Sequence, residues 1–103
     1  MLKIWVDDIR CTSDYDYVRY LSTNKVIERI KKCPKGEAIY LDLDHDAGDF
    51  FYDGGDYIKI LDWLEQYVKE VKLDITVHIH SMNPVGRQNM LRICQKNGWK
   101  VVW

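Results

Sequence analysis

The sequence predicts an α/β domain built on a mostly parallel sheet of five strands with about three helices. Three observations predict it. Short apolar runs rich in Ile and Val alternate with stretches whose apolar residues recur at helical spacing, the pattern of strand–helix–strand units. The strong strand runs end in carboxylates, imidazoles and hydroxyls rather than in ordinary turns, as expected where a parallel sheet presents its carboxyl edge to a ligand. A chain of 103 residues can bury one core and not two, so a single domain spanning 1–103 is expected.

The elements follow in order. "LKIWV" reads as the first strand, bounded by Asp7 and Asp8. "YDYVRYLS" is a weaker strand, rich in Tyr and Val. Only Ile9 to Tyr15 separate the two, too few for a helical crossover, which leaves an irregular or antiparallel edge strand as an open alternative. "STNKVIERIKKC" sets Val26, Ile27 and Ile30 at helical spacing behind Ser22 or Thr23 as N-cap, and Pro34 and Gly36 stop it. "EAIYLDLD" is the next strand. "GDYIKILDWLEQYVKEV" puts Ile58, Leu61, Leu64, Tyr67 and Val68 on one helical face, with Asp53 to Asp56 as start signals. "LDITVHIHS" is a strand. "NPVGRQNMLRICQKNG" is a helix with Asn83 as N-cap, Pro84 in the first position and Gly98 at the stop. "WKVVW" closes the sheet. Strands alternating with helices lead us to expect helices on both faces.

Composition narrows the function classes. The net charge of -1 is the wrong balance for a general nucleic-acid coat, so general DNA binding is not expected. No apolar run has membrane-spanning length, and the start lacks the pattern of a signal peptide, so a cytoplasmic location is expected. Cys11, Cys33 and Cys94 are odd in number and contain no CxxC pair, which points to three reduced thiols. The Trp- and Tyr-rich ends fit a dimer contact and core packing equally well.

The polar residues gather at the carboxyl ends of the strands. Asp7 and Asp8 follow the first. Asp42, Asp44, His45 and Asp46 lie in and beyond the third. A mid-strand carboxylate is costly unless paired or cation-bound, and Asp7 or Asp8 with Asp44 can offer two or three oxygens to Mg²⁺. Asp is also common as a turn cap, the plain reading of Asp7, Asp8 and Asp46 taken singly. His78 and His80 share a strand face, and an HxH pair can chelate a transition metal with a third ligand from His45 or an Asp. The plainer reading makes His78 a buried, hydrogen-bonded residue. His80, nearer the loop, is the candidate proton donor or phosphate contact, and His45, between two aspartates, is a second acid–base candidate. The helix start "NPVGRQ" offers amides at Val85, Gly86 and Arg87, with Gly86 for close approach and the Arg87 cation beside a docked anion. The alternative is an ordinary capped helix with a solvated arginine. Phe50, Phe51 and Tyr52 either fold onto the core or, if exposed, stack on a nucleobase.

"KIWVDDIR", "LDLDHDAG" and "HIHSMNPVGRQNM" together resemble the cyclic-phosphate-processing receiver family, a compact offshoot of the response-regulator receivers. The resemblance covers nearly the whole chain. It implies a compact flavodoxin/receiver-like three-layer sandwich. It implies that Asp7 and Asp8 match the receiver's acidic metal pair, Asp44 its phosphoacceptor position, and Ser81 the hydroxyl residue after the fourth strand. It further implies handling of cyclic phosphates on nucleotides or RNA ends. The chain departs from ordinary receivers in lacking a lysine just after the last strand, where Lys100 is a poor substitute, and a helix after the first.

Three functions follow as expectations. The first is a metal-assisted phosphoesterase, with Asp7, Asp8 and Asp44 holding the cation, His80 or His45 moving protons, and Ser81, Asn83, Gly86 and Arg87 binding phosphate. The second is a module that captures a cyclic or phosphorylated nucleotide without turnover. The third is a receiver-like signalling domain phosphorylated on Asp44.

Overall fold

The computed structural model describes residues 1–103. Five strands, β1 (Leu2–Val6), β2 (Tyr17–Tyr20), β3 (Ala38–Leu43), β4 (Asp74–Ile79) and β5 (Lys100–Val102), interleave with helices α1 (Thr23–Lys31), α2 (Ile58–Tyr67) and α3 (Pro84–Asn97). The sheet order is β2-β1-β3-β4-β5 and every neighbouring pair is parallel. The α/β class, the receiver-like strand order and the three helices are those expected. The open question of β2 is settled as parallel, with Lys3 opposite Tyr17 and Val6 opposite Tyr20.

The connections from β2 to β3, β3 to β4 and β4 to β5 all move the same way across the sheet, and each carries a helix. Right-handed crossovers in one direction must lie over one face. The helices accordingly pack side by side, α1 on α2 and α2 on α3. Under them lie Ile4, Val6, Ile39, Leu41, Leu43, Val77 and Ile79, buried with Val26, Ile30, Leu61, Leu64 and Met90 in one core.

The step from β1 to β2 runs the other way, so its crossover belongs to the second face. Residues 7–16 make it without a helix, being too few for one. Helical cover expected on both faces is therefore present on one, while this loop lies over part of the other. The Trp5 indole donates to the Arg10 carbonyl at 2.9 Å, and Lys3 Nζ reaches Asp14 Oδ2 at 3.1 Å. The second face carries the alternate residues of the strands, among them Trp5, Tyr40, Asp42 and His78.

Two helix starts match their local signals. Ser22 caps α1 by accepting from the Lys25 amide, and Asn83 caps α3 with Pro84 in the first turn. Gly98 ends α3 in the left-handed conformation, φ 68°. The acidic start signals of α2 do something else. Tyr57 precedes the helix with no side-chain cap. Asp53 instead accepts from Ser22 Oγ at 2.6 Å and Asn24 Nδ2 at 3.1 Å, and Asp56 from the Ala47 amide at 3.0 Å. Those carboxylates tie the loop before α2 to α1 and to the end of β3.

Candidate active site

Asp7 leaves β1 fully buried. Its Oδ1 accepts from the amides of Ile9 at 2.9 Å and Arg10 at 2.8 Å, which turns the chain off the sheet. Its Oδ2 lies 3.0 Å from both Arg10 Nε and His80 Nε2. Burial pushes the Asp7 carboxyl up, but the two amides, the His80 ring and the Arg10 charge outweigh it and hold the group below the ordinary range.

Asp44 follows β3, its amide donating to the Val6 carbonyl at 2.9 Å, so the ends of β1 and β3 are locked together. Asp7, Asp8 and Asp44 each place an oxygen within 4.8 Å of the others. Asp8 is the uncompensated member. Burial, joined by the charges of Asp7, Asp44 and Asp49, pushes its carboxyl up despite its own backbone amide. Gly48, at φ 55°, lies so close to Asp8 that a Cβ there would meet its Oδ2. Three carboxylates converging with one of them raised make a donor set suited to a hard divalent cation such as Mg²⁺.

These residues floor an open cleft of about 310 Å³ lined by Asp7, Asp8, Ile9, Arg10, Asp44, Asp46, Ser81, Met82 and Asn83. Five of the nine expected site residues are thus brought together: Asp7, Asp8, Asp44, Ser81 and Asn83. Ser81 Oγ accepts from the Asn83 amide at 3.0 Å, which leaves its proton free to donate. Asn83 Oδ1 accepts from the Gly86 amide at 3.0 Å, which leaves its amino group free.

The other expected residues lie elsewhere. His80 sits behind the floor, between Asp7 and Asp42: its Nδ1 is 2.6 Å from Asp42 Oδ1. Both ring nitrogens face carboxylate oxygens, and the ring stacks on Trp5. His78 Nδ1 reaches the same Asp42 oxygen at 2.9 Å, while Tyr17 donates to the other at 3.0 Å. Burial raises the Asp42 carboxyl, but the bonds from His80 and Tyr17 and the charges of the two histidines hold it low. The mid-strand carboxylate is therefore paired. The HxH pair converges on Asp42, and His45 does not join it. His45 Nδ1 meets Asp46 Oδ1 at 2.8 Å, and its ring packs on α3, where a Cβ on Gly86 would come within 2.5 Å of it.

The phosphate cradle expected at α3 is largely engaged internally. The Gly86 amide is taken by Asn83, the Arg87 amide donates to the Asn83 carbonyl at 2.9 Å, and the space beside Gly86 holds the His45 ring. Arg87 Nη1 donates to the Ile79 carbonyl at 3.1 Å, back toward the strand, and does not line the cleft. Phe51 and Tyr52 are exposed, and neither lines the cleft; Phe50 and Tyr52 border a second hollow with Arg19 and Lys25. Lys100 pairs with Thr76, well below the strand ends.

Arg10 is the residue that sequence reasoning missed. It lines the cleft, and its guanidinium holds Asp7, approaches Asp44 Oδ2 at 3.6 Å and donates to the His80 carbonyl at 3.2 Å. Its position two residues beyond the Asp pair in "DDIR" was the available signal. Asp46, next to His45, belongs to the acidic run that the sequence places beyond β3, but no site role was expected of it.

Comparison with known proteins agrees with the fold. The family model for the cyclic-phosphate processing receiver domain matches residues 2–96. No curated protein and no solved structure matches the chain.

Proposed function

This chain belongs to the cyclic-phosphate processing receiver family, and from that premise we propose that it is a divalent-cation-dependent phosphoesterase acting on cyclic phosphates of nucleotides or RNA ends. The observation that carries this reading is the convergence of Asp7, Asp8 and Asp44 at the floor of the cleft, under Ser81 and Asn83. Four carboxylates line this cleft against one guanidinium, a balance that repels a phosphate until a cation is held there. Asp7, Asp8 and Asp44 would hold a magnesium ion, which would supply Lewis acidity toward a phosphoryl oxygen. The hydroxyl of Ser81 and the amino group of Asn83 donate to the remaining phosphate oxygens. Asp46, at the cleft wall and bonded to His45, accepts the proton of the attacking water as the water oxygen bonds to phosphorus. A ring P–O bond breaks, and the leaving oxygen takes a proton from solvent in the open cleft. His80 has a different part: packed on Trp5 and bonded to Asp42, it holds the Asp7 carboxylate in place.

The test is incubation of the pure chain with cyclic nucleotides and Mg²⁺, following release of the linear monophosphate. Asp44→Asn and Asp46→Asn should each cut turnover by about a hundredfold or more while the fold persists. Turnover unchanged in both removes these residues from the mechanism.

One observation favours a second reading, capture without turnover: no histidine lines the cleft. Calorimetry followed by recovery of the ligand separates the two. Intact ligand supports capture, and ring-opened ligand ends it.

A further inference from the structure

Arg10 is the only cationic side chain lining the cleft, yet it points at the carboxylates where a divalent ion is proposed to bind. We infer that Arg10 is an exchangeable cation: it neutralises Asp7 and Asp44 while no metal is held, gives way to the metal, and then binds the phosphate of the ligand. This inference rests on the proposed function and adds a two-position role for one residue.

The geometry supports exchange over a fixed structural ion pair. Arg10 Nε is close to Asp7 Oδ2 at 3.0 Å, but the reach to Asp44 Oδ2 is a loose 3.6 Å. The side chain is 45% exposed, so the guanidinium regains water as it leaves the carboxylates. Its backbone is anchored independently. The Arg10 amide donates to Asp7 Oδ1, and the Arg10 carbonyl accepts from the Trp5 indole. The guanidinium can therefore turn while the loop stays where it is, giving up its 3.2 Å bond to the His80 carbonyl along with the carboxylates. A guanidinium is also the side chain best shaped for two parallel bonds to phosphate oxygens. Arg87, the cation that sequence reasoning had placed there, is tied to the Ile79 carbonyl.

Exchange predicts effects of opposite sign from one substitution. In Arg10→Ala, Mg²⁺ added alone meets carboxylates with no internal competitor and should bind about threefold to fivefold more tightly. With Mg²⁺ saturating, cyclic adenosine monophosphate, in both ring isomers, and inorganic phosphate should each bind about tenfold more weakly. Arg10→Lys keeps the charge without the planar fork. It should leave Mg²⁺ binding near the wild-type value while still weakening the phosphate probes. Isothermal calorimetry reads all three, with the near-ultraviolet circular dichroism of the aromatic side chains confirming the fold. A merely structural arginine weakens both ligands together in Arg10→Ala and so overturns the inference. Equal affinities in wild type and Arg10→Ala also overturn it, while leaving the metal site standing. A wild-type chain that takes up no Mg²⁺ overturns the inference and the proposed function together.

Discussion

The His80 imidazole lies flat on the Trp5 indole, ring centroids 4.1 Å apart and planes 8° from parallel. The two residues stand on β1 and just beyond β4, with β3 between them, so they meet only above Asp42, whose carboxylate bonds the ring that Trp5 supports. Stacking, the Asp42 bond and the Asp7 bond leave that ring one orientation.

Asp42→Asn tests this arrangement through pH. The folded Asp42 carboxyl is held below its ordinary value by His80 and Tyr17 against the opposing effect of burial. A depressed group stabilises the fold fully above its unfolded value, about 3.9, and loses that contribution as pH falls toward the lower folded value. Urea unfolding should show Asp42→Asn less stable by about 3 kcal/mol at pH 7. The difference should shrink steadily below about pH 4. A constant difference across the acid range would contradict the pairing.

Asp8 gives the opposite sign. Its folded carboxyl is raised by burial and by its acidic neighbours, so its ionised form costs stability at neutral pH. Asp8→Asn should stabilise the metal-free chain, by about 1 kcal/mol or less, while abolishing the rise in melting temperature that Mg²⁺ would give the wild type under the proposed function. Differential scanning calorimetry with and without Mg²⁺ measures both. A variant that loses stability without metal would refute the charge crowding.

Gly86 and His45 form a steric pair. A Cβ at Gly86 would stand 2.5 Å from His45 Cγ and Cδ2. Gly86→Ala should destabilise by about 1–3 kcal/mol despite the helix propensity that alanine brings. In the His45→Ala background the same change should become neutral or stabilising, by up to about 1 kcal/mol. Additive effects in this double-mutant cycle would show that the ring is not the obstacle.

The thiols differ in exposure. Cys11 is exposed, Cys33 is buried, and burial pushes the Cys94 thiol up to about 11. Brief iodoacetamide treatment of the native chain should label Cys11 first and leave Cys94 unlabelled until denaturant is added, as read by peptide mass spectrometry. Early labelling of Cys94 would contradict the packing of α3.

Much of the fold was legible because its signals are local. Asn83, Pro84 and Gly98 bound α3 through interactions within a few residues, and the apolar runs mark each strand. The face taken by the helices was not legible, since it depends on the spatial order of the strands. The acidic floor was readable because Asp7, Asp8 and Asp44 all follow strand ends. The placement of His80 was not, because its partners Trp5, Asp7 and Asp42 come from two other strands. The availability of the Gly86 amide was misjudged although the signal was present: an N-cap asparagine consumes that amide. Arg10 was overlooked because an arginine next to aspartates reads as a routine surface pair.

The loop of residues 7–16 lies over the helix-free side of the sheet and also contributes Asp7, Asp8 and Arg10 to the cleft. One short segment thus roofs one face of the sheet and walls the cleft at its carboxyl edge. Trp5 holds that roof through the Arg10 carbonyl and Lys3 holds it through Asp14, so changes at Trp5, Lys3 or Asp14 should be felt in the cleft without any of those residues facing it.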